Sequence, residues 1–141
     1  AFTTDMIVGF PGETDDDFEQ SLAACRQVGF MKIHIFPFSA RAGTKAAEFP
    51  DRLPSALIRE RVTRMNGLEH ELALQYYQTL VGRPLQVLVE QMIQERPGYV
   101  RGSDRRYVPV ELPGNQADMG RFAQGIGEGT FDRYLRAVRR D

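Results

Sequence analysis

Thr4-Asp5-Met6-Ile7-Val8-Gly9-Phe10-Pro11-Gly12-Glu13-Thr14 decides how the first part of the chain folds. Its apolar run, residues 4–8, is halted by Gly-Phe-Pro-Gly, as expected of a strand buried on both faces. Thr14 then offers a helix N-cap, with Asp17 three residues later in a capping-box relative that has Asp in place of Glu. Phe18, Leu22, Cys25 and Val28 recur at helical spacing. Asp15, Asp16 and Asp17 complement the positive end of the helix dipole, and Gly29 is placed as the C′ residue. Met31 to Phe36 is a second β-rich run, stopped by Pro37. Strand, helix and strand in this order form a βαβ crossover, which predicts two parallel neighbouring strands.

A lone βαβ unit exposes its strands unless further strands flank them. The reading therefore expects the tail of a larger α/β domain whose beginning precedes Ala1. After a loop of small residues, Ser39 to Pro54, the spacing predicts a long amphipathic helix over Ser55 to Leu80. Ile58, Val62, Met65, Leu68, Leu72, Tyr76 and Leu80 form its stripe, and Gly82 and Pro84 end it. From there the period changes to two. Leu85 to Val89 reads as a strand, and Tyr99–Arg101 with Arg105–Val110 as a hairpin turning at Gly102-Ser103-Asp104. Pro109 points to an edge strand. Phe122–Ile126 and Phe131–Val138 are weaker strands on either side of a turn at Gly127-Glu128-Gly129. Several short strands in so few residues suggest a small antiparallel barrel.

The whole chain has 141 residues, 42% hydrophobic and 26% charged, the balance of an ordinary globular protein. No apolar run is long enough to span a bilayer, and no signal-peptide pattern opens the sequence. One cysteine, Cys25, excludes an intrachain disulfide and any multi-cysteine metal site made by this chain alone. Residues 1–79 carry 8 basic and 11 acidic side chains, whereas residues 80–141 carry 10 and 8, and all ten basic groups there are arginine. Arginine forks suit phosphates and stack on bases. The surplus allows a local RNA patch and excludes a strongly basic domain.

Ligands of parallel sheets sit at the carboxyl ends of the strands. The first such end, Gly9 to Thr14, is either a tight βα turn or a binding loop in which glycine backbone comes close to a ligand. The second, Phe36 to Thr44, offers two aromatics beside a proline, to flank a flat ring or to pack on the core. His34 reads as a structural strand histidine, Cys25 as a buried thiol, and Asp15–Asp17 as a solvated helix start. No nucleophile–base pair is present to propose. The segment Tyr99 to Tyr107 interleaves arginine with tyrosine, which suits RNA and equally a solvated hairpin.

Together these segments resemble the radical S-adenosylmethionine methylthiotransferases. Thr3-Thr4-Asp5-Met6-Ile7-Val8-Gly9-Phe10-Pro11-Gly12-Glu13-Thr14 is similar to the family's fifth-strand segment, a TTD-(hydrophobic)₃-GFPGET run before an acidic helix start. Phe36-Pro37-Phe38-Ser39-Ala40-Arg41-Ala42-Gly43-Thr44 looks like its sixth-strand motif. The Phe-Pro-Phe version, preceded by Ile33-His34-Ile35, is nearest the branch acting on threonylcarbamoyladenosine in tRNA. The long helix and barrel resemble the linker and the RNA-binding TRAM domain. Lys45 departs from the family, standing where proline commonly follows Gly-Thr. The Cys-x₃-Cys-x₂-Cys motif of the radical cluster and the three cysteines of the second cluster are absent.

The resemblance implies a fold class of α/β followed by small all-β. Residues 1–52 would be the end of a partial (β/α) radical S-adenosylmethionine barrel, 53–80 a linking helix, and 81–141 an OB-like TRAM barrel made irregular by its glycine-rich late strands. It implies S-adenosyl-L-methionine as cofactor, with two 4Fe-4S clusters in the full-length parent whose ligands are not in this chain. By position, Ile7, Gly9, Gly12 and Glu13 would shape the S-adenosylmethionine pocket, and Phe36, Phe38 and Ser39 would lie by its adenine. Arg41 would face the cofactor or tRNA, and Arg101, Arg105, Arg106 and Tyr107 would contact RNA. No catalytic residue or metal ligand is expected here, so the fragment alone should be inactive. The expected partners are tRNA and the missing N-terminal part of the same polypeptide, in a cytoplasmic, monomeric enzyme with no membrane contact. The alternatives are the same chemistry on isopentenyladenosine tRNA or a ribosomal protein, and a free-standing, non-catalytic RNA-binding protein.

Overall fold

The opening run forms strand β1 (Thr3–Val8), and the capped segment forms helix α1 (Asp15–Val28). The capping box at Thr14 is present in full, and Gly29 closes the helix in the left-handed conformation at φ 70°. Strand β2 (Lys32–Pro37) pairs parallel with β1, placing Ile7 opposite Phe36 and Asp5 opposite His34. The computed structural model describes residues 1–140 and divides into two compact units, Ala1–Ala73 and Leu74–Asp141. The boundary falls inside the long helix α2 (Ser55–Gln78).

Val8, Phe18, Leu22, Cys25, Ile33, Met65, Leu68 and Leu72 form the core of the first unit. Only one face of the two-stranded sheet contributes to it. Met6, Val8, Ile33 and Ile35 pack inward, whereas Ile7 and Phe36, on the opposite face, are 55% and 51% exposed. The expectation of strands buried on both faces is thus corrected: in this unit the alternation of β1 and β2 is one-sided. Val28 is exposed too, since as the last residue of α1 it lies past the buried Phe18–Leu22–Cys25 stripe. Helix α2 ends at Gln78, short of the expected Leu80, and along it Tyr77 is buried in place of Tyr76, because 69, 73 and 77 share one helical face.

The second unit is a closed five-stranded barrel of β3 (Pro84–Met92), β4 (Tyr99–Asp104), β5 (Pro109–Pro113), β6 (Phe122–Phe131) and β7 (Tyr134–Arg140). The strand order is β3-β4-β5-β7-β6, with β5 and β7 parallel and every other pair antiparallel. Leu85, Val87, Val89, Val100, Val110, Leu112 and Leu135 fill it.

Three sequence readings are corrected here. Gly102-Ser103-Asp104 lies within β4, and the turn to β5 comes after it. Gly102 is glycine because β3 passes so close that a Cβ would lie 1.9 Å from the Leu88 carbonyl oxygen. Pro109 opens β5, a strand with neighbours on both sides, and its missing N–H is tolerated at that first position. Gly127-Glu128-Gly129 is a bulge inside one continuous β6, where the register to β7 shifts, and the turn falls at Asp132, with φ 50°.

Candidate functional site

At the end of β1 the backbone turns through Gly9 and Gly12, at φ 81° and 83°. The Gly9 N–H donates to Glu13 Oε2 at 3.0 Å, and the Glu13 N–H donates to the Phe10 carbonyl at 2.9 Å. Gly12 donates to the Asp51 carbonyl at 3.0 Å. Arg61, only 2% exposed, reaches the same turn from α2. Its Nη1 donates to Glu13 Oε1 and, at 3.0 Å, to the Glu13 carbonyl, and its Nη2 donates to Asp15 Oδ1 at 2.6 Å. The guanidinium also lies 5.3 Å from the Phe18 ring centroid. Burial opposes the Arg61 charge, but its hydrogen bonds to Asp15 and Glu13 and the negative charges of those carboxylates together outweigh it and raise its pKa.

The turn is therefore stiff, and beside it lies a groove of about 510 Å³ at the carboxyl ends of β1 and β2. Ile7, Phe36, Phe38, Ser39 and Arg41 line it together, joined by Asp5 and Phe10. Phe38 is set by its N–H, which donates to the Val8 carbonyl at 2.8 Å. Its ring meets Phe10 edge-on at 5.2 Å, and Phe10 meets Phe49 at 5.9 Å. The groove thus combines aromatic walls, one carboxylate, the Ser39 and Thr44 hydroxyls and one guanidinium, the composition of a small-molecule cleft. Gly9, Gly12 and Glu13 do not line it. One Glu13 carboxylate oxygen is engaged by the Gly9 N–H within the turn and the other by Arg61 from α2.

Sequence reasoning missed Asp5, Phe10 and Arg61. A signal for Arg61 existed: it falls on the apolar spacing Ile58, Arg61, Met65, Leu68, so a buried arginine needed acidic partners, and the acid-rich start of α1 supplies them. Asp15 is accordingly an ion-pair partner and Asp17 a cap, whose carboxyl is held below its usual range by the Thr14 hydroxyl and N–H. His34 is exposed on the open face of the sheet. Cys25 is fully buried, and burial pushes its thiol pKa up. Among the described residues no group of histidine, cysteine and acidic side chains is placed to hold a metal ion.

On the barrel the four expected RNA contacts separate into two kinds. Arg101 Nη2 donates to Glu111 Oε1 at 2.7 Å and its guanidinium lies 3.8 Å from the Tyr134 ring. Arg106 Nε donates to the buried Asp104 carboxylate at 2.8 Å. Arg105 is exposed, and Tyr107 is 84% exposed.

No family model matches the chain. Among curated proteins it is 39% identical over 124 residues to the tRNA-2-methylthio-N(6)-dimethylallyladenosine synthase of Moorella thermoacetica, covering 88% of this chain and 28% of that protein. It is 36% identical over 136 residues to the protein of the same name from Rhodococcus jostii, covering 96% of this chain and 25% of that protein. It is also 36% identical over 116 residues to the threonylcarbamoyladenosine tRNA methylthiotransferase MtaB of Thermotoga maritima, covering 82% of this chain and 26% of that protein. The chain spans about a quarter of the length of these relatives. Among the described residues no helix is long and apolar enough to cross a membrane.

Proposed function

Since the chain belongs to the methylthiotransferase family, we propose that it serves tRNA methylthiolation, contributing part of an S-adenosylmethionine site and an RNA-gripping barrel. The observation that carries this reading is the groove, where Ile7 from one strand end meets Phe36, Phe38, Ser39 and Arg41 from the next. Its side chains fit the ligand by chemistry. Aromatic walls suit adenine, Ser39 and Asp5 suit ribose hydroxyls or an ammonium, and Arg41 suits a carboxylate. When bound, S-adenosylmethionine would supply the methyl group and the hydrogen-abstracting radical. The chain's own residues bind and orient it, with Glu13 and Arg61 holding the turn behind it.

The two 4Fe-4S clusters of the family reading do not fit this chain, whose one cysteine is buried in the core. Their ligands, and with them the catalytic competence that the chain alone lacks, would come from elsewhere in the parent enzyme. In this reading residues 1–52 end a radical S-adenosylmethionine domain, α2 links it onward, and the OB-like barrel is a TRAM domain. The reaction would be cytoplasmic, with its tRNA.

Phe36-Pro37-Phe38 after Ile33-His34-Ile35 favours threonylcarbamoyladenosine as the modified base. The names of the Moorella and Rhodococcus relatives favour dimethylallyladenosine instead. Mass spectrometry of tRNA nucleosides from cells with and without the gene tests both. Loss of the methylthio group from threonylcarbamoyladenosine supports the first, and loss from dimethylallyladenosine the second. Retention of both refutes the function.

A further inference from the structure

We propose that the cleft lined by Pro84, Leu85, Gln86, Arg105 and Gln124 on the barrel is a pocket for one unstacked base of single-stranded RNA, with Tyr107 as the stacking platform for a neighbouring base. The proposal rests on the reading of the barrel as an RNA-binding module. The cleft has a volume of about 250 Å³, and Pro84, on the same outward face of β3 as Gln86, gives it an apolar side. Gln86 and Gln124 are direct partners across β3 and β6, so two exposed amides stand side by side. Each presents a donor and an acceptor, the pattern that reads a base edge.

The loop that brings in Arg105 is held rigidly. Asp104 Oδ1 accepts from the Arg106 N–H at 2.7 Å and the Val108 N–H at 3.3 Å, and its Oδ2 accepts from Arg106 Nε at 2.8 Å. The Tyr107 N–H donates to the Asp104 carbonyl at 2.8 Å, and Tyr107 itself sits at φ 62°, a conformation that non-glycine residues seldom hold. Strain of this kind, fixed by a buried carboxylate, presents two side chains outward. Glu111 and Asp104 occupy Arg101 and Arg106, whereas among the described residues no acceptor holds Arg105 and no group covers the Tyr107 ring. A free guanidinium is available to a phosphate, and a free ring to a base.

Fluorescence anisotropy of the 141-residue chain with labelled A8, C8 and U8 oligoribonucleotides and an anticodon stem-loop, over a range of salt, tests this. The wild type should prefer one homopolymer, and Gln86→Ala with Gln124→Ala should bring the three within about twofold of each other. Tyr107→Ala should weaken all three alike, by about tenfold. Arg105→Ala should lower the slope of log affinity against log salt by about 0.7, the loss of one single-strand phosphate contact. All four side chains are at the surface, and unchanged thermal melting would show that the variants fold. Wild-type behaviour of the variants, or a wild type without base preference, overturns the pocket while the barrel's RNA role stands. No binding of any of the four RNAs overturns both.

Discussion

The buried Arg61 and the partly buried Glu13 form an ion pair that ties α2 to the loop ending β1, and the second oxygen of the same Glu13 carboxylate accepts from the Gly9 N–H. One side chain on the helix thus fixes the backbone behind the groove. Asp15 completes the arrangement on the other guanidinium nitrogen.

Arg61→Ala should therefore be costly. It leaves the Glu13 carboxylate in a partly buried position without its partner, and loss of one member of a buried pair costs about 3–5 kcal/mol. Arg61→Lys should recover only part of this, because an ammonium cannot serve Glu13 and Asp15 with one planar fork. Arg64→Ala, which breaks the exposed pair with Glu19, should cost under about 1 kcal/mol. Urea unfolding of the three variants gives the comparison. Equal losses for Arg61→Ala and Arg64→Ala would contradict the clamp.

Gly9 and Gly12 have nearly the same backbone conformation but different surroundings. A Cβ on Gly9 would lie 2.6 Å from Ile58 Cγ1, whereas a Cβ on Gly12 would meet nothing within 4 Å. Gly12→Ala should cost about 1 kcal/mol, from the left-handed backbone alone. Gly9→Ala should cost about 1–3 kcal/mol more, since Ile58 must also move. Thermal or urea denaturation distinguishes the two, and an equal cost would show that the Ile58 contact is slack.

Asp118 should give the barrel an acid-sensitive step. Its carboxyl is pulled from 3.8 down to about 2, first by the hydrogen bond from Arg139 and then by the Asn115 N–H. Because the folded value lies below the unfolded one, this contribution is complete above about pH 4 and is lost as pH falls through about 2. Unfolding free energy measured from pH 5 to pH 2 should decline less steeply in Asp118→Asn than in the wild type. Identical slopes would remove Asp118 from the account.

The elements of both units were legible from the sequence where a local rule governs them. Thr14 with Asp17, Gly29 after α1, and the parallel pairing of β1 and β2 all follow from caps and connection rules. The errors arose where a partner distant in sequence decides. Gly102 reads as a turn residue until the approach of Leu88 is known, and Gly127 to Gly129 reads as a turn until the register with β7 is known. The groove was legible as two strand ends of unusual composition. Arg61 was not, because an arginine among α2's apolar positions gains its meaning from Glu13, 48 residues away. The ion pairs of Arg101 with Glu111 and of Arg106 with Asp104 join residues only ten and two positions apart, yet they show only once the strands and the turn are in place.

The most direct test of the groove as the working site of a tRNA methylthiotransferase is complementation of a strain lacking the gene. The measured quantity is the methylthiolated fraction of the affected adenosine in tRNA. Phe36 is half exposed and Arg41 is at the surface, so Phe36→Ala with Arg41→Ala leaves the core intact. The wild-type gene should restore the modification, and the double variant, at equal protein abundance, should restore less than about a tenth of it. Full restoration by the double variant would contradict the assignment of the groove.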